Sequence, residues 1–527
     1  MRKLIALFLA LVMAFCFVAC SKNPENLSSN TDISAENKNT LNTITLLYSE
    51  ADGFNPYTVS TDTNRQLCKL LYEPLVKLDN EFQPVFSLAE SVEIKGKECV
   101  VTLKNKRFSD GSYLTADDVV YSCNLALKSS TSYAAKLYEV KKVAAADSKT
   151  VVFTLTKSDP YFVNLLDFPI IKSGSDKVTD SDNVYQPPVG CGRFMVAGDK
   201  VSLVINPYVH SGEGSINAVK LINAPDSESI AHYIEVGAAD IYYNDFSDDN
   251  TVRMGGDKYA INLNNLVYIG INSEYGALTQ NELRQALCSA IDRESICQTI
   301  YYNNAISATG FYNPVWKDVK SVQNIQTVTK SEITIENLEK IGYNKLDKDG
   351  KRVNSNGRSL SFTLLVNSEN TDRVRLANLI KEQLWVYGIK VTVLERNYET
   401  YLSMLEKGNF QLYLGEVKIT ENMDFTEIIS PDGRAAYGIE AEKKEASKED
   451  DDEQSSVSAK PYKVLEAFYK GETTITDVAQ ALQNEMPLIP LCYRTGALFC
   501  NDNIENVNNS SASDIYFSIE SYIYNKQ

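Results

Sequence analysis

The stretch Thr371–Leu394 constrains the fold more than any other. From Thr371 to Tyr387 apolar residues recur at the three- and four-residue spacing that gives a helix one buried stripe. Gly388-Ile389-Lys390-Val391-Thr392-Val393-Leu394 then reads as a strand, being rich in β-branched residues. A helix that runs straight into a strand buries its stripe by lying on the sheet that the strand joins, so the chain is expected to be α/β. The pattern recurs elsewhere. Cys99–Leu103 and Thr150–Leu155 read as strands. Between them Thr115-Ala116-Asp117-Asp118 has the capping-box spacing that starts a helix running to about Leu127. Asn42–Leu47 reads as a short strand, Arg65–Leu71 as a helix, and Asn281–Ile300 as a long helix.

At 527 residues the chain is long enough for several domains. With 43% hydrophobic and 23% charged residues it is composed like an ordinary globular protein with a sizeable core. Its net charge of −17 repels a phosphate backbone, so nucleic acid is not an expected partner. Histidine is limited to His210 and His232, which leaves zinc hydrolysis and histidine general-base catalysis without their usual groups. The sequence has no P-loop, HExxH or GxSxG motif, and neither a cofactor nor a catalytic residue is implied.

The N-terminus reads as an export signal. Met1-Arg2-Lys3 is basic, Leu4–Val18 is apolar, and Phe17-Val18-Ala19-Cys20 is similar to a bacterial lipobox, in which the cysteine sulfur takes a diacylglycerol. Residues 1–19 are therefore expected to be a lipoprotein signal peptide, with Cys20 as the lipidation site. Residues 20–41, lipidated at Cys20, form a polar tether. This predicts an exported protein held to the cell membrane by lipid, on its extracellular or periplasmic side. Besides Cys16 in the signal segment, eight further cysteines are scattered without a C-x-x-C pair, which disfavours a metal cluster. Contexts such as Leu287-Cys288-Ser289-Ala290-Ile291 suit buried free thiols. Asp347-Lys348-Asp349-Gly350 reads as a hairpin turn. Glu440–Glu453, with eight acids against three lysines, reads as part of a solvated acidic loop over 440–460.

Phe108-Ser109-Asp110-Gly111-Ser112-Tyr113-Leu114-Thr115-Ala116-Asp117-Asp118-Val119-Val120-Tyr121-Ser122 resembles the signature F-x-D-G-x-P-L-T-A-x-D-V-x-x-S of solute-binding protein family 5, with Tyr113 in place of the proline. These are the oligopeptide-, dipeptide- and nickel-type receptors of ABC importers. Further likenesses follow in the family's order. They are Leu71-Tyr72-Glu73-Pro74-Leu75-Val76, Leu88-Ala89-Glu90-Ser91, and Pro188–Phe194 with Cys191 and Arg193 departing from the pattern. Tyr268–Asn272, Arg284–Leu287 with Ala290–Arg293, and Pro487–Leu491 complete the series.

The resemblance implies a type II periplasmic-binding-protein-like fold of two α/β lobes joined by a hinge, with an extra small domain. Residues 42–65, 186–266 and 487–527 would make the first lobe, 66–185 the extra domain packed on it, and 267–486 the second lobe. It implies a peptide bound in the cleft, and permease and ATPase subunits as partners. Asp110-Gly111 and Thr115 are expected to be structural, as are Arg284 and Asp292-Arg293, whose charges would pair locally. By likeness to the family, ligand contacts are expected from Asp52, Phe54, Asn55 and Tyr57; from Asn272; from Gly415, Glu416, Val417 and Lys418; and from Tyr493 and Arg494. Many peptide-binding members carry G-W-x-x-D where this chain has Gly415-Glu416-Val417-Lys418-Ile419. The aspartate that pairs the ligand's ammonium is therefore replaced by Ile419. Glu416 and Asp424 are the expected substitutes, and Lys418 is a candidate for a ligand carboxylate. A receptor for a metal chelate or oligosaccharide, and a sensor or adhesin without transport, are the alternatives on the same fold. A hydrolase would need a carboxylate pair, and none stands out.

Overall fold

The structure, a computed structural model, describes residues 42–209, 216–247, 254–320, 330–439 and 460–525. The signal peptide, Cys20, the tether, His210 and nearly all of the acidic loop lie outside the described residues.

Three sheets carry the architecture. In the first, Thr43–Tyr48 runs parallel to Ala218–Asn223, which pairs antiparallel with Ser202–Ile205 and, beyond it, Phe194–Val196. The second is an antiparallel meander of Ala89–Lys95, Glu98–Leu103, Thr150–Leu155 and Val140–Ala145. The third has seven strands. Its main path runs Ile241–Asn244, Leu488–Cys500, Asp257–Ile271, Leu412–Lys418, Ser361–Asn367 and Lys390–Arg396, and Ala305–Ser307 also pairs with Leu488–Cys500. Ser361–Asn367 and Lys390–Arg396 are parallel and joined by the helix Thr371–Trp385, the unit expected from sequence. Gly388, at φ 75°, turns the chain from helix to strand in a left-handed conformation that glycine tolerates best.

Buried side chains separate into two large cores. Strands and helices from Ile44 to Leu263, together with Leu498–Tyr522, pack into the first; it takes in both the expected first lobe and the extra domain. The second holds Leu266–Tyr493 and also Phe82. Two long strands, Asp257–Ile271 and Leu488–Cys500, pass through both cores and pair from Asp257–Cys500 to Gly270–Leu488, with irregular register after Asn262 and after Val267. The sequence places the second crossing at Pro487. The packing places it later, because Leu488, Ile489, Leu491, Cys492 and Tyr493 join the second core and Leu498 and Cys500 the first.

Local signals read from sequence are realised. Thr115 and Asp118 form the capping box of helix Ala116–Ala126, and Asp347–Gly350 connects two short antiparallel strands. The eight described cysteines are buried and free. The expected helix Asn281–Ile300 is two helices, Asn281–Ser289 and Arg293–Thr299. The break lets Asp292 cap the second helix by accepting from the Ser295 amide, and sends Arg293 inward. The sequence reading of Arg284 and Arg293 as locally paired charges is corrected by this packing. Arg293 is fully buried and donates to the carbonyls of Pro490, Cys288 and Ile291, while Arg284 donates to those of Glu485 and Leu278. Both guanidiniums act as buried clamps that tie nearby carbonyls to distant ones, Pro490 for Arg293 and Glu485 for Arg284.

Candidate functional site

The strands Leu412–Lys418 and Leu488–Cys500 flank the second half of Asp257–Ile271 in the third sheet. Tyr268 lies opposite Gly415, and Gly270 opposite Tyr413. A Cβ on Gly415 would stand 2.6 Å from the Tyr268 ring and one on Gly270 1.9 Å from the Tyr413 ring, so each glycine leaves room for the tyrosine across from it. The two hydroxyls meet at 3.2 Å. This packing fixes the strand that carries Glu416, the residue after Gly415.

Glu416 and Arg494 open onto a cavity of about 770 Å3 between the two cores. Asp245, Phe246, Ser247, Lys258 and Phe499 line it from the first side. Tyr301, Tyr302, Asn304 and the start of the helix Thr371–Trp385 line it from the second. Glu416 is already paired there: its carboxylate receives the Arg373 guanidinium and accepts from Asn265 Nδ2 at 3.0 Å. Burial alone would lower the Arg373 pKa, but Tyr301 and Glu416 beside it reverse the balance and raise it, so the cation is held firmly. Arg494 is 9% exposed, donates from Nη2 to the Phe246 carbonyl at 2.9 Å, and lies 4.7 Å over the Tyr301 ring. Lys258 Nζ donates to Asn304 Oδ1 at 2.7 Å, a contact between the two sides. Phe246 and Tyr302, which line the cavity, and Asn303, beside Tyr302, have φ of 55°, 50° and 63°. Left-handed backbone at bulky residues costs of order 1 kcal/mol each and gathers at functional sites.

Of the residues expected from sequence, Glu416 and Arg494 reach this cavity. Gly415 has the packing role just described. Lys418 is exposed and Val417 is half-buried against the second core. Tyr493 is buried and its hydroxyl donates to the Phe311 carbonyl. Asn272 donates to the carbonyls of Gly408 and Phe410. Asp52 accepts from Ser60 and Thr61, Asn55 from the Tyr57 amide, and Tyr57 donates to the Pro169 carbonyl; Phe54 stacks on Tyr48. None of these four is in the cavity wall. Sequence reasoning missed Arg373, Lys258 and Tyr301. For Arg373 a signal exists: it continues the buried stripe Leu376, Ala377, Ile380 and Leu384, a place where an unpaired charge is costly.

Asp424 lies elsewhere, in a seam where residues of the expected extra domain meet the second core. Lys157 reaches Asp424 at 2.9 Å, and Lys136 bridges Asp167 at 2.8 Å and Glu421 at 3.1 Å. Asn422 Nδ2 donates to Asp159 at 2.8 Å, and Tyr161 packs edge-on against Trp316 at 5.0 Å. Burial pushes the Asp159 carboxyl up to about 6, against the hydrogen bonds from Asn422 and Tyr161.

Groups of three or more histidine, cysteine or acidic residues able to hold a metal are absent among the described residues. No helix among them is long and apolar enough to cross a membrane.

Comparison with known proteins places this geometry. The sequence pattern of bacterial extracellular solute-binding proteins, family 5 Middle, matches residues 83–429, more than half the chain. The oligopeptide-binding protein AppA of Bacillus subtilis is 27% identical over 408 residues, covering 74% of this chain and 75% of AppA. Heme-binding protein A of Haemophilus influenzae is 24% identical over 448 residues, covering 76% and 77%. The unliganded open form of MppA, a periplasmic murein tripeptide binding protein, superposes with a TM-score of 0.70 at 17% identity, over 92% of this chain and 98% of MppA. That likeness shows the fold, the bilobal type II architecture of periplasmic binding proteins. The chain belongs to the bacterial extracellular solute-binding proteins of family 5, extracytoplasmic binding components of ABC importers rather than enzymes.

Proposed function

We propose that the protein is a lipid-anchored receptor that captures peptides between its two lobes and hands them to the permease of an ABC importer. The observation that carries this reading is the cavity of about 770 Å3 lined on one side by Asp245–Ser247, Lys258 and Phe499 and on the other by Tyr301, Tyr302 and Thr371, since a ligand there touches both sides at once. The relatives named for peptides support the choice of ligand class. Glu416 and Arg494, with Lys258, Tyr301 and Tyr302, are the proposed contacts. Residues 42–65, 186–266 and the end of the chain from about Thr495 would form the first lobe, 66–185 the extra domain, and the remainder from 267 the second lobe.

A ligand that binds only the closed native form stabilises it by about 2.7 kcal/mol at a hundredfold excess over Kd. Short peptides are expected to raise the melting temperature and reduce the radius of gyration in solution scattering. A broad peptide library that changes neither sinks the reading. Anchoring is tested separately. Cys20→Ser is expected to move the protein from the membrane fraction to the soluble one, and a variant that stays on the membrane through washing excludes the lipid.

A further inference from the structure

The charges around the cavity are unequally matched. Three carboxylates line it: Glu416 is paired with Arg373 and Asp372 with Arg375 at 3.2 Å, while Asp245, at the rim, accepts from the uncharged Ser247 amide. Arg494 has no such match. Its nearest carboxylate oxygen is on Glu416 at 3.9 Å, beyond hydrogen-bond reach and already taken by Arg373. Its Nε is buried without a hydrogen-bond partner. A guanidinium has five donors in a flat fork, and Arg494, a residue 9% exposed with one donor placed on a carbonyl, leaves most of that fork to be satisfied.

The surroundings hold the fork in place for a planar anion. Tyr301 supports one face of the Arg494 guanidinium, and the Phe246 carbonyl fixes one end. Asn370 and Thr371, at the N-terminus of the fifteen-residue helix Thr371–Trp385, stand in the same wall, so the positive end of a helix dipole adds to the field. A ligand ammonium would meet the reverse, because the one acid at the centre is neutralised by Arg373.

We propose that the cleft selects solutes that present a carboxylate, which Arg494 receives, and that Glu416 braces Arg373 rather than serving as the counter-charge of a ligand amine. The proposal rests on the receptor reading for its site but not for its ligand class, and the two fail differently.

Calorimetry on the purified protein separates them with three probes: short peptides with free C-termini, the same peptides C-amidated and lacking acidic side chains, and citrate as a carboxylate that is not a peptide. Free-acid peptides are expected to bind at least about tenfold more tightly than their amides, the usual size of a lost charged hydrogen bond. Acids and amides bound equally overturn the carboxylate proposal and leave the peptide receptor standing. Citrate bound with no peptide bound supports the carboxylate proposal and overturns the peptide reading. No binding of any probe overturns both.

Variants then assign the residue. Arg494→Gln is expected to weaken the acids by about 10- to 100-fold, with Arg494→Lys retaining part of the affinity. Glu416→Gln has the opposite sign. It removes the negative charge 3.9 Å from Arg494, so acids should bind about fivefold tighter. Tighter binding to Glu416→Gln stands as a test even if Arg494→Gln fails to fold, as read from its melting curve without ligand. Weaker binding of amine-ended peptides to Glu416→Gln, with acids unaffected, overturns the assignment.

Discussion

The two lobes meet in two places that are built on different principles. At the seam, Lys136, Lys157 and Asn422 each reach an acid, and Tyr161 fills the space against Trp316. At the cleft the same two bodies line a cavity, with one arginine poorly matched. A face whose charges are paired by its neighbour has little left for a third party, and at the seam Lys136 and Lys157 pair the acids they reach. A buried guanidinium left without a carboxylate partner is completed by something else. The difference separates residues that join the lobes from residues that await a ligand, and it removes Asp424 from the second group.

The largest effect that sharpens this contrast is expected at Lys136. Lys136→Met strands Asp167, whose side chain is 2% exposed, together with Glu421. Breaking a buried pair in this way costs about 3–5 kcal/mol, to be read from urea denaturation. A loss below about 1 kcal/mol, the size of an exposed pair, erases the distinction between seam and cleft.

Asp159 gives a smaller effect with a definite pH signature. Its folded pKa, raised by burial to about 6 from 3.8, means the native state holds the proton that the unfolded chain has released. The contribution of this group to stability is complete below the unfolded value and is lost as pH rises through about 6. The side chains facing it are Lys157, Asp424 and neutral Asn422. Asp159→Asn should therefore stabilise the protein by about 3 kcal/mol near neutrality and hardly at all in acid, flattening the profile between. An unchanged pH profile in thermal denaturation argues that the carboxyl is not desolvated at the seam.

The smallest expected change in stability is at the cleft. Tyr302 is 58% exposed, so Tyr302→Ala should alter unfolding free energy by less than about 0.5 kcal/mol while reducing the rise in melting temperature that ligand gives. A large stability loss with an unchanged ligand response reverses the roles assigned to the two faces.

What was legible in the sequence follows the range of the interactions. The Thr115–Asp118 cap and the Asp347–Gly350 turn are settled by neighbours a few residues away, and they are where their local chemistry puts them. The helix break at Ala290–Asp292 was not legible, because Arg293 is drawn inward by the Pro490 carbonyl, 197 residues on. The site divides in the same way. Family likeness pointed to Glu416 and Arg494, and both line the cavity. It could not show that Glu416 is already held by Arg373, since that pair joins a helix start to a strand across 43 residues. Asp52 and Tyr57 were chosen beside a permissive glycine, but their hydrogen bonds turn inward to Thr61 and Pro169.

The two strands that run through both cores have a mechanical consequence. Their pairing continues from Asp257–Cys500 to Gly270–Leu488, interrupted by shifts of register but not by a loop. Lobe motion on such a joint changes the twist of a ribbon and spreads the deformation over many intact hydrogen bonds. The connection acts as a leaf spring, with a restoring force in each direction and no bond that must rupture first. Its relaxation is then set by the stiffness of the ribbon against the drag of the lobes through water, and the time a solute stays captured reflects the grip of the cleft together with that restoring force.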